Sequence, residues 1–143
     1  LEFKRVLNQK GRVVIFEPYI SFFSLFVYGI FHHEPVALFK KINLVNDSNN
    51  FSDSNYYAAQ SNATRIFKKN SSFKFQILKD WRVIDKKKYS ALSYVLSGGF
   101  SKPAFYPEKM LPFVRKIEKI LDIFPILFAT RMMIVLEKNE KLV

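Results

Sequence analysis

The fold is decided by one stretch near the start of the sequence, Lys10-Gly11-Arg12-Val13-Val14-Ile15-Phe16-Glu17-Pro18. Its apolar part, Val13 to Phe16, contains no polar residue, which is the pattern of a strand covered on both faces, as in a parallel sheet. Pro18 has no N–H to give to a strand ladder, so the pattern predicts that the strand ends at Glu17. Ligands of open parallel sheets bind at the carboxyl ends of the strands. Glu17 and the residues after it are therefore the first place to look for a site.

Helices are predicted on both sides of this strand. Leu1 to Leu7 has its apolar residues on one helical face and predicts the end of a helix, which Asn8 to Gly11 caps and turns into the strand. After Pro18, Ser21 predicts the N-cap of a helix from Phe22 to Phe31. The apolar residues of this second helix surround it completely, so it has to be buried or to contact lipid.

The rest of the chain predicts two more helices and two more strands. The helices are expected at Tyr56 to Phe67 and at Leu111 to Ile123. The middle strand is predicted from Phe73, with an extension as far as Ile84, and Lys86 to Ser101 is predicted to be a loop. The last strand, Met132 to Leu136, is apolar throughout, like the first.

Two of the three strands have the composition of central strands. The first and the last are apolar on both faces, whereas the middle one has a polar face and tolerates an edge. Because a three-stranded sheet has only one central place, we expect neighbouring strands that this chain does not contain. The sequence begins with Leu1 rather than with methionine, and we interpret this as a second sign of an internal fragment.

The composition is that of a folded, strongly basic protein. Hydrophobic residues make up 49% and aromatic residues 17% of the chain, which excludes a disordered tail. A net charge of +11 favours anionic partners, namely nucleic acid, anionic lipid headgroups or a phosphorylated acceptor. The alternative is that the lysines only solvate the surface, because they are scattered rather than arranged on one face. The chain has no cysteine, which removes disulfides and thiolate metal sites.

The residues around the first strand resemble a known family. Leu1 to Leu7, the turn at Gly11 and the strand ending at Glu17-Pro18 are similar to the entry into the fifth strand of class I S-adenosylmethionine-dependent methyltransferases. The turn before the strand keeps one of the two glycines that are usual there. Three later segments are similar to one branch of that family: His32 to Val36, Leu96 to Ser101 and Arg131 to Lys138.

The resemblance covers the C-terminal half of the family's domain. It implies an α/β fold with a partial Rossmann-like methyltransferase sheet, formed by strands five to seven and flanked by helices. Strand seven is then antiparallel and inserted between the other two. Residues 1–143 would form the acceptor side, and S-adenosylmethionine would be bound by the missing N-terminal half. No glycine-rich turn follows a strand here, so the chain alone is expected neither to bind the cofactor nor to be active.

The resemblance also implies residues for the acceptor side. Methyl transfer needs an aligned acceptor and, for some acceptors, a general base. His32 or His33 is expected to be that base because histidine titrates near neutral pH, and Glu34 lies next to them. The alternative is that the two histidines only end the preceding helix. The residues expected to line the acceptor pocket are Glu17, Pro18, Glu34, Tyr94, Gly98, Gly99 and Phe100.

Each of these residues also has a purely structural interpretation. Glu17 can cap the helix that begins after Ser21, and a turn with two glycines needs no ligand to explain it. We expect no metal site at His32 and His33, because adjacent helical positions point about 100° apart and the sequence has no third histidine and no cysteine.

Two classes of function follow. The first is a fragment of a cytoplasmic methyltransferase, peripheral to the membrane, that methylates an anionic or lipid-linked small molecule. The alternative is a non-enzymatic basic module that lies on a membrane or binds a partner through Tyr19 to Phe31. The aromatic residues of that segment are expected in the core, and if they are exposed they should meet a lipid-linked acceptor. The sequence contains no nucleic-acid-binding motif.

Overall fold

The computed structural model describes residues 2–8, 10–31, 36–39, 42, 60–69, 71–73, 78–98 and 102–139. These residues form a mixed α/β fold in which three strands make one antiparallel sheet with helices around it. The helices are α1 (Glu2–Val6), α2 (Phe22–Phe31), α3 (Asn62–Ile66), α4 (Leu92–Leu96), α5 (Leu111–Leu121) and α6 (Pro125–Phe128), with a 3₁₀ helix at Glu108–Met110 before α5. The strands are β1 (Arg12–Pro18), β2 (Trp81–Tyr89) and β3 (Arg131–Lys138).

The last strand is the centre of the sheet. β3 lies between β1 and β2 and runs antiparallel to both, which is the strand order that the resemblance implies. The expectation of a parallel ladder around the first strand is wrong, because β1 and β2 point the same way but are separated by β3. Of the two strands predicted to be central, β3 takes the central place and β1 lies at an edge. No strand of the described residues pairs with the outer edge of β1.

One face of the sheet carries the core. Every second residue of β3 is buried on this face, with Met132 and Ile134 fully buried and Leu136 nearly so. Val13 of β1 stands opposite Leu136, and Ala63 of α3 packs over them. We call this side of the sheet the covered face.

The other side of the sheet, which we call the open face, lacks this cover on β1. Val14 and Phe16 of β1 are 62% and 55% exposed. The prediction that β1 is covered on both faces is therefore wrong for the described residues. The physical reason is that α3 packs on one side of the strand only.

Pro18 belongs to β1, although the sequence predicted that the strand ends before it. It pairs with Arg131 at the start of β3, and the next residue, Tyr19, donates its N–H to the Thr130 carbonyl at 2.8 Å. Because the backbone groups of an antiparallel strand alternate in direction, the nitrogen of Pro18 faces the outer edge. A missing N–H removes no ladder hydrogen bond there.

The middle strand lies later in the chain than predicted. β2 includes residues 86–89, which were predicted to be a loop, and α4 lies in the second half of that predicted loop. A bulge between Val83 and Asp85 explains the error, because Ile84 is an extra residue that shifts the alternation by one position. After the bulge, Lys86 and Lys88 occupy strand positions opposite Ile134 and Met132. The strand was predicted to begin at Phe73, which is helical in the structure, so the predicted start is wrong; residues 74–77 lie outside the described residues.

The predictions for the turn before β1 and for helix α2 are confirmed. The turn before β1 closes with a hydrogen bond from the Gly11 N–H to the Asn8 carbonyl, and a Cβ at Gly11 would meet this carbonyl and the Leu7 side chain at about 3 Å. Helix α2 has the predicted bounds, and Ser21 caps it. The Ser21 N–H donates to Ser24 Oγ at 2.6 Å, and the Ser24 N–H donates to Ser21 Oγ at 3.2 Å.

Candidate functional site

The candidate site lies at the end of the sheet where β1 and β2 finish and β3 begins. Pro18 is opposite Arg131 on one side of β3, and Tyr89 is opposite Arg131 on the other. The carboxyl ends of β1 and β2 therefore lie at the same end of the sheet, although the two strands are not neighbours. Chain segments leave this end of the sheet towards α2 and α4.

Arg131, on the central strand, is the charged residue in the middle of this end of the sheet. Its guanidinium carbon lies 4.7 Å from the ring centroid of Tyr94, which α4 supplies. This distance is that of a cation–π contact, which holds the guanidinium in place without neutralising its charge. Tyr89 and Phe16, on the same side of the sheet, have ring centroids 6.2 Å apart. On this face, the end of the sheet thus combines the positive charge of Arg131 with three aromatic rings.

Tyr28 connects helix α2 to this end of the sheet. Its side chain is buried, and its hydroxyl donates a hydrogen bond to the Thr130 carbonyl at 2.7 Å. Burial raises the pKa of the Tyr28 phenol above its ordinary value, while the positive charge of Arg131 and the Thr130 side chain act in the opposite direction. The phenol therefore stays protonated at neutral pH and acts as a hydrogen-bond donor rather than as a base.

Hydrogen bonds among the residues that flank Arg131 stabilise this end of the sheet. Thr130 is fully buried, and its hydroxyl donates to the Ser90 carbonyl at 2.7 Å. The Ser90 N–H donates to Asp122 Oδ1 at 2.6 Å, and the Ser90 hydroxyl donates to the Glu118 carbonyl at 3.2 Å. These bonds join the end of β2, the end of α5 and the start of β3. Arg131 is consequently held on a rigid base.

Glu17 and Pro18 were expected to line one pocket, but the strand directs them to opposite faces. Glu17 stands opposite Met132 on the covered face and lines a cavity of about 360 Å³ between β1 and α3. Most of the other lining residues of this cavity are apolar, including Val13 and Ile15. Pro18 lies on the other face, at the level of Arg131. Alternation along a strand makes this separation unavoidable.

Tyr94 and Gly98 are the two described members of the predicted acceptor loop. Tyr94 lies against Arg131, as above. Gly98 has φ of +80°, and a Cβ there would lie 2.2 Å from the Lys102 carbonyl oxygen, so the turn requires glycine for its backbone. The Lys102 N–H donates back to the Gly98 carbonyl at 3.2 Å. The other predicted site residues, His32, His33, Glu34, Gly99 and Phe100, lie outside the described residues.

Sequence reasoning missed Arg131 as a site residue. The signal was present, because Arg131 is the first charge after the uncharged run of residues 123–130 and stands directly before a buried strand. A charge at such a place is either solvated or functional. The guanidinium of Arg131, with Tyr94 and Tyr89, can bind and orient an anionic or hydroxyl-bearing group.

Comparison of the chain with protein-family models, with curated proteins and with solved structures finds no match. Among the described helices, none has both the length and the apolar character needed to cross a bilayer. Within the same residues, no three His, Cys, Asp or Glu side chains are grouped closely enough to hold a metal ion.

Proposed function

We propose that this chain is the C-terminal, acceptor-side part of a class I S-adenosylmethionine-dependent methyltransferase domain. The observation that carries the proposal is the strand order. The last strand in sequence lies between the first and the middle strand and is antiparallel to both, as strand seven lies between strands five and six in that family. A simple meander of three strands would place the middle strand of the sequence at the centre instead.

The exposed edge and face of β1 also support the proposal. Residues 12, 14 and 16 direct their backbone N–H and C=O groups away from β3, and no described strand meets them. An open edge beside exposed Val14 and Phe16 is a place where further strands and helices of the same domain would pack. In the proposal, the missing N-terminal half fills this place.

The described residues do not themselves fit S-adenosylmethionine. A nucleotide-type cofactor in such a sheet needs a glycine-rich turn between the end of a strand and the start of a helix. Gly11 precedes β1, Gly29 lies within α2 and Gly98 follows α4, so none of the described glycines occupies such a turn. The cofactor therefore belongs to the missing half in this proposal.

In this proposal, the chain binds the acceptor. Arg131 and Tyr94 bind and orient an anionic or lipid-linked small molecule at the end of the sheet, beside Pro18 and Gly98. Gly99 and Phe100, which follow Gly98 in the sequence, are proposed to contact the same acceptor. His32 or His33, with Glu34 beside them, removes a proton from the acceptor. Glu17 lies on the covered face and lines the cavity between β1 and α3, so it is not part of this acceptor site.

The alternative, a non-enzymatic basic binding module, makes a different prediction. Such a module would carry its whole function within these residues and would need no further strand at β1. It does not explain why the described residues leave the outer edge and the open face of β1 without cover. The methyltransferase proposal accounts for both features.

Binding of S-adenosylhomocysteine tests the proposal. Calorimetry on the chain alone should show no binding, whereas the chain extended by the residues encoded immediately upstream should bind, because the extension supplies the cofactor side. The upstream sequence should contain a strand followed by a Gly-x-Gly turn. Tight binding by residues 1–143 alone, or an upstream sequence without such a turn, would contradict the proposal.

A further inference from the structure

Helix α2 is polar inside and apolar outside. Its inward side buries three hydroxyl-bearing residues, Ser24 and Tyr28 together with the capping Ser21. Its outward side presents only hydrocarbon and aromatic groups. The exposed large side chains are Phe22 (66%), Leu25 (38%), Phe26 (53%) and Ile30 (70%). A helix in contact with water on one side has its polar residues outside and its apolar residues inside, so the outer face of α2 lacks the composition of a water-exposed helix face.

The orientation of α2 is held by specific hydrogen bonds. Ser21 and Ser24 bond each other's backbone N–H, and the hydroxyl of Tyr28 donates to the Thr130 carbonyl. Rotation of α2 to bury its apolar side would break the bond between Tyr28 and Thr130, and a buried polar group left without a partner costs about 1–3 kcal/mol. The apolar side consequently stays outward.

Helix α6 extends this apolar surface. The rings of Phe23 and Phe128 have centroids 6.2 Å apart, which brings α6 beside α2. Helix α6 exposes Ile126 (72%) and Leu127 (46%). We call the combined area the α2–α6 apolar surface; it consists of Phe22, Leu25, Phe26, Ile30, Ile126 and Leu127. An exposed apolar area of this kind marks a binding surface.

Charge distinguishes the occupant of this surface. Residues 18–31 and 123–130, which carry α2 and α6, contain no charged residue. Helix α5, which ends just before α6, carries Arg115, Lys116 and Lys119 against a single acid, Glu118. The chain as a whole has a net charge of +11. An uncharged apolar patch on a strongly basic chain, with a basic helix directly before α6 in the sequence, complements the acyl chains and anionic headgroups of a lipid bilayer.

We infer that the α2–α6 apolar surface inserts into the headgroup region of an anionic membrane. Helix α2 has ten residues and is therefore about 15 Å long, which is half the thickness of the hydrocarbon layer, so it lies in the plane of the interface. The cations of α5 contact the phosphate groups. This inference rests on α2, α5 and α6 and does not depend on the proposed methyl transfer.

A single tryptophan at the surface tests insertion directly. In the full 143-residue chain, Trp81 is replaced by phenylalanine and Phe26→Trp is introduced. The matched control is Phe3→Trp in the same Trp81→Phe background. Phe3 is similarly exposed but lies in α1, which precedes β1, and lines the cavity on the covered face rather than the α2–α6 apolar surface. The probes are vesicles of phosphatidylcholine alone and of phosphatidylcholine with phosphatidylserine.

The emission of the Phe26→Trp variant should shift to shorter wavelength on phosphatidylserine vesicles and should be quenched by brominated acyl chains. The Phe3→Trp control should show neither effect. Binding that is reversed by salt without any shift at position 26 would overturn the inference, because it would be electrostatic adsorption only. An equal shift at position 3 would overturn it as well.

Removal of the neighbouring rings of Phe22 and Phe26, which meet edge to face with centroids 5.5 Å apart, gives a second test. Phe22→Ser with Phe26→Ser should lower vesicle partitioning by at least about tenfold per phenylalanine, whereas Phe3→Ser should leave it near the parent value. Both side chains are exposed, so the thermal midpoint should not fall.

Sedimentation velocity without lipid tests for a second copy: a parent dimer that the double variant converts to a monomer would overturn the inference. So would loss of vesicle binding when the upstream residues are attached.

Discussion

Strand β3 and helix α2 are both rich in large apolar residues, but they differ in how these residues are used. In β3, alternate residues enter the core, and strands pair along both edges. In α2, the small hydroxyl residues are inside and the large apolar side chains are outside. The difference teaches that β3 finds all its partners within the described residues, whereas the large side chains on the outer side of α2 are not covered by them. An apolar residue indicates burial only where a neighbour exists to cover it.

The largest effect is expected from matched isoleucine substitutions in the two elements. Ile134→Ala removes a fully buried side chain from β3 and should lower the free energy of unfolding by about 2–5 kcal/mol. Ile30→Ala in α2, where the side chain is 70% exposed, should change it by no more than about 0.5 kcal/mol. Urea denaturation of both variants measures the difference. A large loss from Ile30→Ala would break the comparison, because it would mean that the outer face of α2 is covered in solution.

A moderate effect is expected from the inner side of α2. Tyr28→Phe removes the hydroxyl that donates to Thr130 and should cost about 1 kcal/mol. The cost stays moderate because the Thr130 carbonyl still accepts the Tyr19 N–H at 2.8 Å. Tyr106→Phe is the matched control, since that hydroxyl makes a longer bond of 3.3 Å to the Ser93 carbonyl and should cost less. Equal costs in urea denaturation would argue against a special role for the inner face.

The smallest effect is a pH dependence at the far end of β3. Glu137 accepts hydrogen bonds from Arg82 at 2.6 Å and from Arg12 at 2.9 Å, and these bonds hold the pKa of its carboxyl below the ordinary value. A lowered folded-state pKa contributes stability that is present above the unfolded-state pKa and is lost as pH falls through the folded-state pKa. Glu137→Gln should therefore be less stable than the parent at neutral pH, and the gap should close in acid.

The control for Glu137 removes the donors instead of the acceptor. Arg12→Gln combined with Arg82→Gln should reproduce the same loss of pH dependence, because it removes the same two hydrogen bonds. Thermal melts of the three proteins between neutral and acidic pH measure it. The effect should be small, since both guanidinium groups are more than half exposed and are screened by solvent. A gap that widens in acid would contradict the assigned direction.

Local features of the fold were predictable from the sequence. The turn at Gly11, the cap at Ser21 and both bounds of α2 depend on residues a few positions apart, and all were predicted correctly. The bounds of β2 were not, because the bulge at Ile84 destroys the alternation that a strand prediction uses. Strand pairing with β3 then holds residues 86–89 extended, although three of them are lysines. The tyrosine beside Arg131 was identified from the sequence, but Arg131 itself was missed.

The sequence by itself determined where α2 begins and ends, that β1 and β3 are strands, and that the chain is strongly basic. Only the tertiary structure decided which strand is central and which side of α2 faces outward. The reason is distance along the chain: the bond that orients α2 joins Tyr28 to Thr130, which are 102 residues apart. A local pattern specifies an element, but a contact between remote residues selects the face that it buries, and here that contact leaves the apolar side of α2 exposed.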